Sequence, residues 1–278
     1  MIEEPLGPGL SRVWRPSEVL VDTRTAYQHL VIARTAQGVT LFCDNDRQSS
    51  ELSQLVYHEA LLVPALLLAE RLDRVLVIGS SEGVVSQLAV AAGAGAVDHV
   101  DIDRTAVELC ARHLPYGYSV SDLSAAGPIR LHYTDGDSFV ASATDRYDVV
   151  VLDLPDERPG PAQHNRLYQP DFLTRCAALL TGGGVLTTQA GCPTLWRNDT
   201  LVASWHRFRA LFPTVSYFGS PEQEWAFLAA TPASLPAPTA RLLERLPLLP
   251  YRPVTIDADS LRANTIPPIS VRNSMPPP

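Results

Sequence analysis

Two aspartates three residues apart, Asp153 and Asp156, follow directly on the apolar run 147–152 (YDVVVL). An unbroken apolar run of that length reads as a buried strand, which would deliver both carboxylates to one edge of a sheet. Two acids beside a ligand cleft are a candidate functional pair. Upstream, residues 79–83 (GSSEG) close another apolar run, and glycines there let the backbone approach a ligand and turn sharply into a helix. A strand-to-helix turn uses glycine in any case, so this loop is a weak signal alone. Asp101 lies 22 residues beyond Gly79, where an acid can accept hydrogen bonds from ribose hydroxyls. Asp103, just before Arg104-Thr105, is the better candidate for a helix cap. Asp135, in Asp135-Gly136-Asp137, could accept from an adenine amino group or simply form an Asp-Gly turn.

Such motifs need a scaffold that brings strand ends together. Strands are predicted over 74–78, 97–102, 129–133, 147–152 and 185–188, with a late one over 225–229. Helical stretches over 84–92, 105–113, 172–180 and 200–212 alternate with them. That alternation predicts an α/β fold, a mostly parallel sheet with helices on both faces, similar to a class I methyltransferase-like Rossmann fold. Ligands in such sheets bind outside the carboxyl ends of the strands. Before it, two strand-like stretches flank a Gln37-Gly38 turn and predict a small N-terminal antiparallel β domain. A helix is predicted over 53–72. Residues 1–18 read as a loose leader and the proline-rich tail as a surface wrap with disordered last residues. The expected division is 1–52, 53–230 and 231–278.

Composition narrows the class of function. Of 278 residues, 46% are hydrophobic and 19% charged, enough for a sizeable core. A net charge of −8 argues against nucleic acid or an anionic membrane as partner and suits a cationic substrate. Cys43, Cys110, Cys176 and Cys192 form no C-x-x-C pair and read as small buried residues. The seven histidines show no metal-binding spacing, so no metal is expected. Nothing reads as a signal peptide or a membrane span, and a cytoplasmic location is expected.

Taken together, the motifs resemble the spermidine synthase (polyamine aminopropyltransferase) family. Tyr27-Gln28 followed by GVTLFCDNDRQ is similar to that family's "YQ" and "L-x-L-D-G-x-x-Q", and Tyr57-His58-Glu59 to its "YHE" helix. GSSEG stands at its "GGGDG" loop, VDHVDID at "V-x-x-V-E-I-D", and TDGDSFV at "DG-x-x-F/Y". YDVVVLDLPDERPGPAQHNRLYQPDF, TTQAGCP and EWAFLAA follow in the family's order.

The resemblance implies that Gln28 and Gln48 hold the nucleoside and sulfonium end of an S-adenosyl donor, with Gly79 and Gly136 at its backbone turns. It implies Asp101 on ribose, Asp135 on adenine, Glu82 at the donor's aminopropyl ammonium, and Asp153 as the base for the attacking amine. Asp156, Tyr57 and His58 would line the amine side, with Tyr217 or Trp225 closing it. The implied reaction moves an aminopropyl group from decarboxylated S-adenosylmethionine to a small amine and releases methylthioadenosine, in a homo-oligomer (dimer or tetramer). The apolar stretch 242–249 is a candidate interface. The sequence departs from the family at Ser80, Ser81 and Glu82, at Ser53-Gln54, at Cys43-Asp44-Asn45 and at Glu157. These changes point to a larger or less cationic acceptor than the usual diamine. They also leave open two other readings: an enzyme using intact S-adenosylmethionine for methyl or other alkyl transfer or cyclisation, or a non-catalytic nucleoside-binding paralogue.

Overall fold

The structure is a computed structural model that describes residues 1–7, 9–158, 162–220 and 224–275. Of the GPA match, Gly160 and Pro161 lie outside the described residues, as do the last three residues of the tail. The stretch expected to be a loose leader is an antiparallel hairpin, β1 (Ile2–Gly7) and β2 (Leu10–Trp14). Its prolines and glycines mask a pairing that tertiary burial stabilises: Ile2 and Trp14 pack on Val31, Ala33 and Phe42. The Trp14 ring stands edge-on to Phe42, and its N–H donates to Glu4 Oε2 at 2.7 Å.

A second antiparallel sheet follows in sequence order, β3 (Glu18–Arg24), β4 (His29–Thr35), β5 (Gly38–Cys43) and β6 (Asp46–Ser50). Gly38 takes φ +78° in the expected turn. Next comes α1 (Gln54–Leu68), whose residues from Tyr57 to Leu68 are all buried. A helix that is apolar on every side belongs inside a protein, and this one lies between the main sheet and other helices.

That sheet is built from β7 (Arg74–Gly79), α2 (Val84–Ala91), β8 (Ala96–Asp101), α3 (Arg104–His113), β9 (Ile129–Tyr133), α4 (Gly136–Ser142), β10 (Tyr147–Asp153), α5 (Pro170–Ala178), β11 (Leu180–Gln189), α6 (Asp199–Leu211), β12 (Thr214–Ser220) and β13 (Trp225–Thr231). Among the described residues its order is β12-β13-β11-β10-β7-β8-β9, parallel except that β13 runs against both neighbours. The α/β expectation holds, and β12 is a strand the sequence pattern did not reveal. The chain steps from β7 to β8 and β9, then returns to place β10 on the other side of β7. Asp153 therefore pairs in register with Gly79. Reversal of strand order opens a crevice at these carboxyl ends. The N-terminal sheet packs Leu30, Ile32 and Leu41 on Ala106, Cys110 and Leu114 in and just after α3, which brings its turns over that crevice.

The tail is a packed part of the molecule rather than a surface wrap. It forms α7 (Pro238–Arg245), α8 (Ala258–Asn264) and α9 (Ile269–Arg272), and Leu242, Leu261 and Val271 are fully buried. Pro238 sits in the first turn of α7, where its missing N–H has no partner to lose. The leucines of the stretch suggested as an interface are largely occupied: Leu243, Leu246 and Leu249 pack on the core, and of its leucines only Leu248 stands clear, at 76% exposed. Among the described residues no helix is long and apolar enough to cross a membrane.

Candidate active site

The glycine loop after β7 is tied to the end of β10. Gly79 has φ +88°, and a Cβ there would fall 2.1 Å from the carbonyl oxygen of Asp153. The N–H of Ser80 donates to the same carbonyl at 3.1 Å. From β8, His99 Nε2 donates to the Gly79 carbonyl at 2.7 Å while Nδ1 accepts from the Tyr118 hydroxyl at 2.8 Å. Burial pulls the His99 pKa down to about 4, so the ring is neutral and holds this tautomer. The Tyr118 ring fills the space a side chain at Gly83 would need. A Gly79→Ala variant should lose about 3 kcal/mol of stability in denaturant titration, because backbone conformation and space both oppose a Cβ.

Beside this loop lies a cleft of about 330 Å³ between the strand ends and the N-terminal sheet. Gln28, Gln48, Gly79, Glu82, Asp101 and Asp135 line it, as do Gly136, Tyr57 and Asp153. Asp101 ends β8 with one oxygen accepting from the Asp103 N–H and the other from the Ser81 hydroxyl, both at 2.7 Å. Burial raises its pKa to about 6, against the pull of those two hydrogen bonds. The Ser81 hydroxyl stands to Asp101 as a ribose hydroxyl would. Asp103 caps α3 through Ala106 as expected, and also accepts from Thr25 and from the Gln28 amide at 2.9 Å. Asp135 caps α4 through the Ser138 N–H and is ion-paired with Arg166, so any base amino group would share this carboxylate with a guanidinium.

At the other end, two carboxylates share one imidazole. His58 Nε2 lies 3.4 Å from Glu82 Oε1 and 3.5 Å from Asp153 Oδ2, while Nδ1 faces the Gln54 carbonyl at 2.6 Å. Every neighbour of the ring nitrogens is an acceptor, which favours the imidazolium with both nitrogens protonated. Burial opposes that charge, yet Asp153 and Glu82 more than offset it and hold His58 above its ordinary value. Burial raises the Glu82 carboxyl, with His58 opposing. Asp153 is also penalised by burial, but His58, the Tyr57 hydroxyl and Ser80 hold it below the ordinary carboxylate range. The Tyr57 hydroxyl donates to Asp153 Oδ1 at 2.8 Å. Asp153 is thus an ionised acceptor at the cleft wall, next to the glycine loop.

Four of the anticipated site residues stand off the cleft wall. His58 lies behind it, in contact with Glu82 and Asp153. Trp225 packs edge-on against Tyr57 with ring centroids 5.2 Å apart and carries the Arg47 guanidinium on its face at 4.6 Å. Asp156 takes a hydrogen bond from the Gln189 amide, and burial raises its pKa to about 6 with Arg197 opposing. Tyr217 lies buried with Trp205, Phe208 and Leu228, in the cluster on the sheet face away from α1. A role in closing a groove over Tyr57 does not fit that position. Residues the sequence reading gave no role include Ser81, Arg166 and Gln189. The two serines of GSSEG were the only visible signal for the first, and the other two act across more than 30 residues of chain.

Comparison with known proteins places the chain. The spermine/spermidine synthase domain matches residues 54–221. Polyamine aminopropyltransferase 1 of Pseudomonas aeruginosa is 32% identical over 224 residues, 76% of this chain and 76% of that one. Polyamine aminopropyltransferase 2 of Hyperthermus butylicus is 36% identical over 222 residues, 77% of this chain and 70% of the relative. The fold superposes on a crystal structure of spermidine synthase in complex with the transition state analogue AdoDATO, with a TM-score of 0.86 at 18% identity, covering 98% of this chain and 93% of that one. It also superposes on spermidine synthase from Thermotoga maritima, with a TM-score of 0.83 at 16% identity, covering 98% of this chain and 92% of that one. With the domain match covering more than half of its length and relatives this similar over three quarters of it, the chain belongs to the spermine/spermidine synthase family.

Proposed function

We infer that the protein is an aminopropyltransferase that moves the aminopropyl group of decarboxylated S-adenosylmethionine to a small amine. The observation that carries this reading is the Glu82–His58–Asp153 cluster at the end of a cleft in which two further acids, Asp101 and Asp135, suit a nucleoside. Sulfonium charge activates the adjacent carbon of the donor. The lone pair of the amine forms the new C–N bond as the C–S bond breaks, and the sulfur keeps that electron pair in methylthioadenosine. The proton shed by the amine passes to Asp153, which is ionised and aimed by Tyr57. Holding both reactants in line supplies much of the remaining acceleration.

The same cluster favours the decarboxylated donor. An ammonium placed among Glu82, His58 and Asp153 meets two carboxylates that share one imidazole, whereas the carboxylate of intact S-adenosylmethionine would face both of them with, among the described residues, no cation at their side except that same His58. Calorimetric titration with both donors and methylthioadenosine tests this. Preference for the decarboxylated form by tenfold or more, with methylthioadenosine released on adding amines, is the expected result. Preference for intact S-adenosylmethionine would remove the reading. The expected homo-oligomer belongs to the same proposal and is read by light scattering.

Asp101 adds a pH test free of the amine chemistry. Its raised pKa means that the ribose-binding carboxylate is ionised above about 6 and protonated below. Methylthioadenosine carries no aliphatic ammonium, so its affinity should hold near neutrality and fall by up to about tenfold per pH unit below that value. Asp101→Asn should bind it weakly with a flat profile over the same range.

A further inference from the structure

Glu59 is the third residue of the Tyr57-His58-Glu59 motif, yet it has no place in the cleft. Its side chain is fully buried on the far side of α1. There, among the described residues, the carboxylate accepts from the tail alone: from the Val254 N–H at 2.8 Å, the Thr255 N–H at 2.6 Å, the Thr255 hydroxyl and the Tyr251 hydroxyl. A buried carboxylate costs several kcal/mol in desolvation unless donors surround it, so this set of four ties the tail segment tightly to the helix.

The helix needs that tie. Ser53, at its N-cap, makes no side-chain cap; its hydroxyl is turned to Ser50 at 2.7 Å instead. No acidic residue stands in the first turn to favour the helix start. Pro64 sits in the helix interior, and a proline there removes one intrahelical hydrogen bond and weakens the continuity of the two halves. The half before Pro64 is the one that carries Tyr57 and His58. Two residues along a helix is a turn of roughly 200°, so Tyr57 and Glu59 face opposite ways. One side meets Asp153, the other the tail.

We propose that Glu59 is a positioning residue for the reaction, clamping residues 251–255 to the back of α1 and so fixing the rotation that sets Tyr57 and His58 against Asp153. The proposal rests on Asp153 being the base of the aminopropyl transfer. It also makes the tail beyond residue 231 part of the catalytic unit.

The test compares Glu59→Ala, Thr255→Val and the double variant in the full chain. Glu59→Ala should lower kcat by about 30-fold while the KM for the decarboxylated donor stays within about twofold, since the nucleoside contacts come from other elements. Thr255→Val should lower kcat less, and the double variant should be no slower than Glu59→Ala, because both changes open one clamp. The second readout needs no turnover: the imidazole titration of His58 followed by NMR. In the wild type it should lie above the ordinary imidazole range, and in Glu59→Ala it should move back toward that range as Asp153 and Glu82 lose their alignment. A wild type that transfers no aminopropyl group, with the His58 titration still moving, would sink the functional reading and leave the clamp standing. An unmoved titration and equal kcat losses at a lowered Tm, additive in the double variant, would reduce Glu59 to a stabilising residue. If Glu59→Ala does not fold, an unchanged kcat and His58 titration in Thr255→Val and in Tyr251→Phe overturn the proposal by themselves.

Discussion

Asp153→Asn should lower kcat by about three orders of magnitude while leaving methylthioadenosine affinity within about twofold. The asparagine keeps the volume and can still accept the Tyr57 hydroxyl, which now meets Oδ1 at 2.8 Å, so the cleft should stay assembled. What is lost is the ionised oxygen that takes the proton of the attacking amine. A second change accompanies it. The amide NH2 would turn toward His58, which in the wild type faces carboxylate oxygens at 3.4 and 3.5 Å. With one carboxylate gone, the His58 pKa should fall. Single-turnover release of methylthioadenosine separates the chemical step from binding. A rate within threefold of the wild type would remove Asp153 from the role of base.

The parts of the site that could be read from the sequence are those whose information is local. Asp101, Asp135 and Asp153 each follow a short apolar run, and a strand that ends in a carboxylate announces where that carboxylate goes. Gly79 and Gly38 were legible because a sharp turn with positive φ selects glycine. What stayed hidden depends on distant partners. Asp156 is next to Asp153 in the motif, but Gln189 from β11 holds it off the cleft wall. Tyr217 sits on β12, whose side-chain alternation could be assigned to a face only once its register with β13 was known. The β1–β2 hairpin is broken up by proline and glycine, and the three tail helices are short and set between prolines, so neither signals itself. They form because Trp14, Leu242, Leu261 and Val271 find buried places in the rest of the protein. Glu59 shows the same limit from another side: a motif groups residues by sequence, while the helix sends neighbours to opposite faces.

Glu82→Gln should change which donor the enzyme accepts. Glu82 stands where the GGGDG motif that this loop resembles has an acid one methylene shorter, and its side chain reaches the imidazole of His58 at 3.4 Å. With His58 protonated and Asp153 ionised, an ionised Glu82 gives the cluster one net negative charge, matched to one ammonium. Glutamine leaves His58 and Asp153 neutralising each other, so the donor ammonium would enter a buried site with no unpaired counter-charge. Losing one partner of a buried charge pair costs about 2–5 kcal/mol, which corresponds to a fall of roughly 30-fold or more in kcat/KM for the decarboxylated donor. Intact S-adenosylmethionine should suffer less, because Glu82 is one of the groups its carboxylate would face, and discrimination between the donors should shrink by about tenfold. The pH dependence has a sign of its own. Burial holds the Glu82 carboxyl above its ordinary value, so donor affinity should decline as pH falls through that raised pKa. In the glutamine variant that limb should vanish, while the limb near 6 that Asp101 gives to methylthioadenosine binding remains. Donor selectivity and pH profile both unchanged in Glu82→Gln would mean that the ammonium is bound elsewhere, and that the lengthened acid serves only to hold His58.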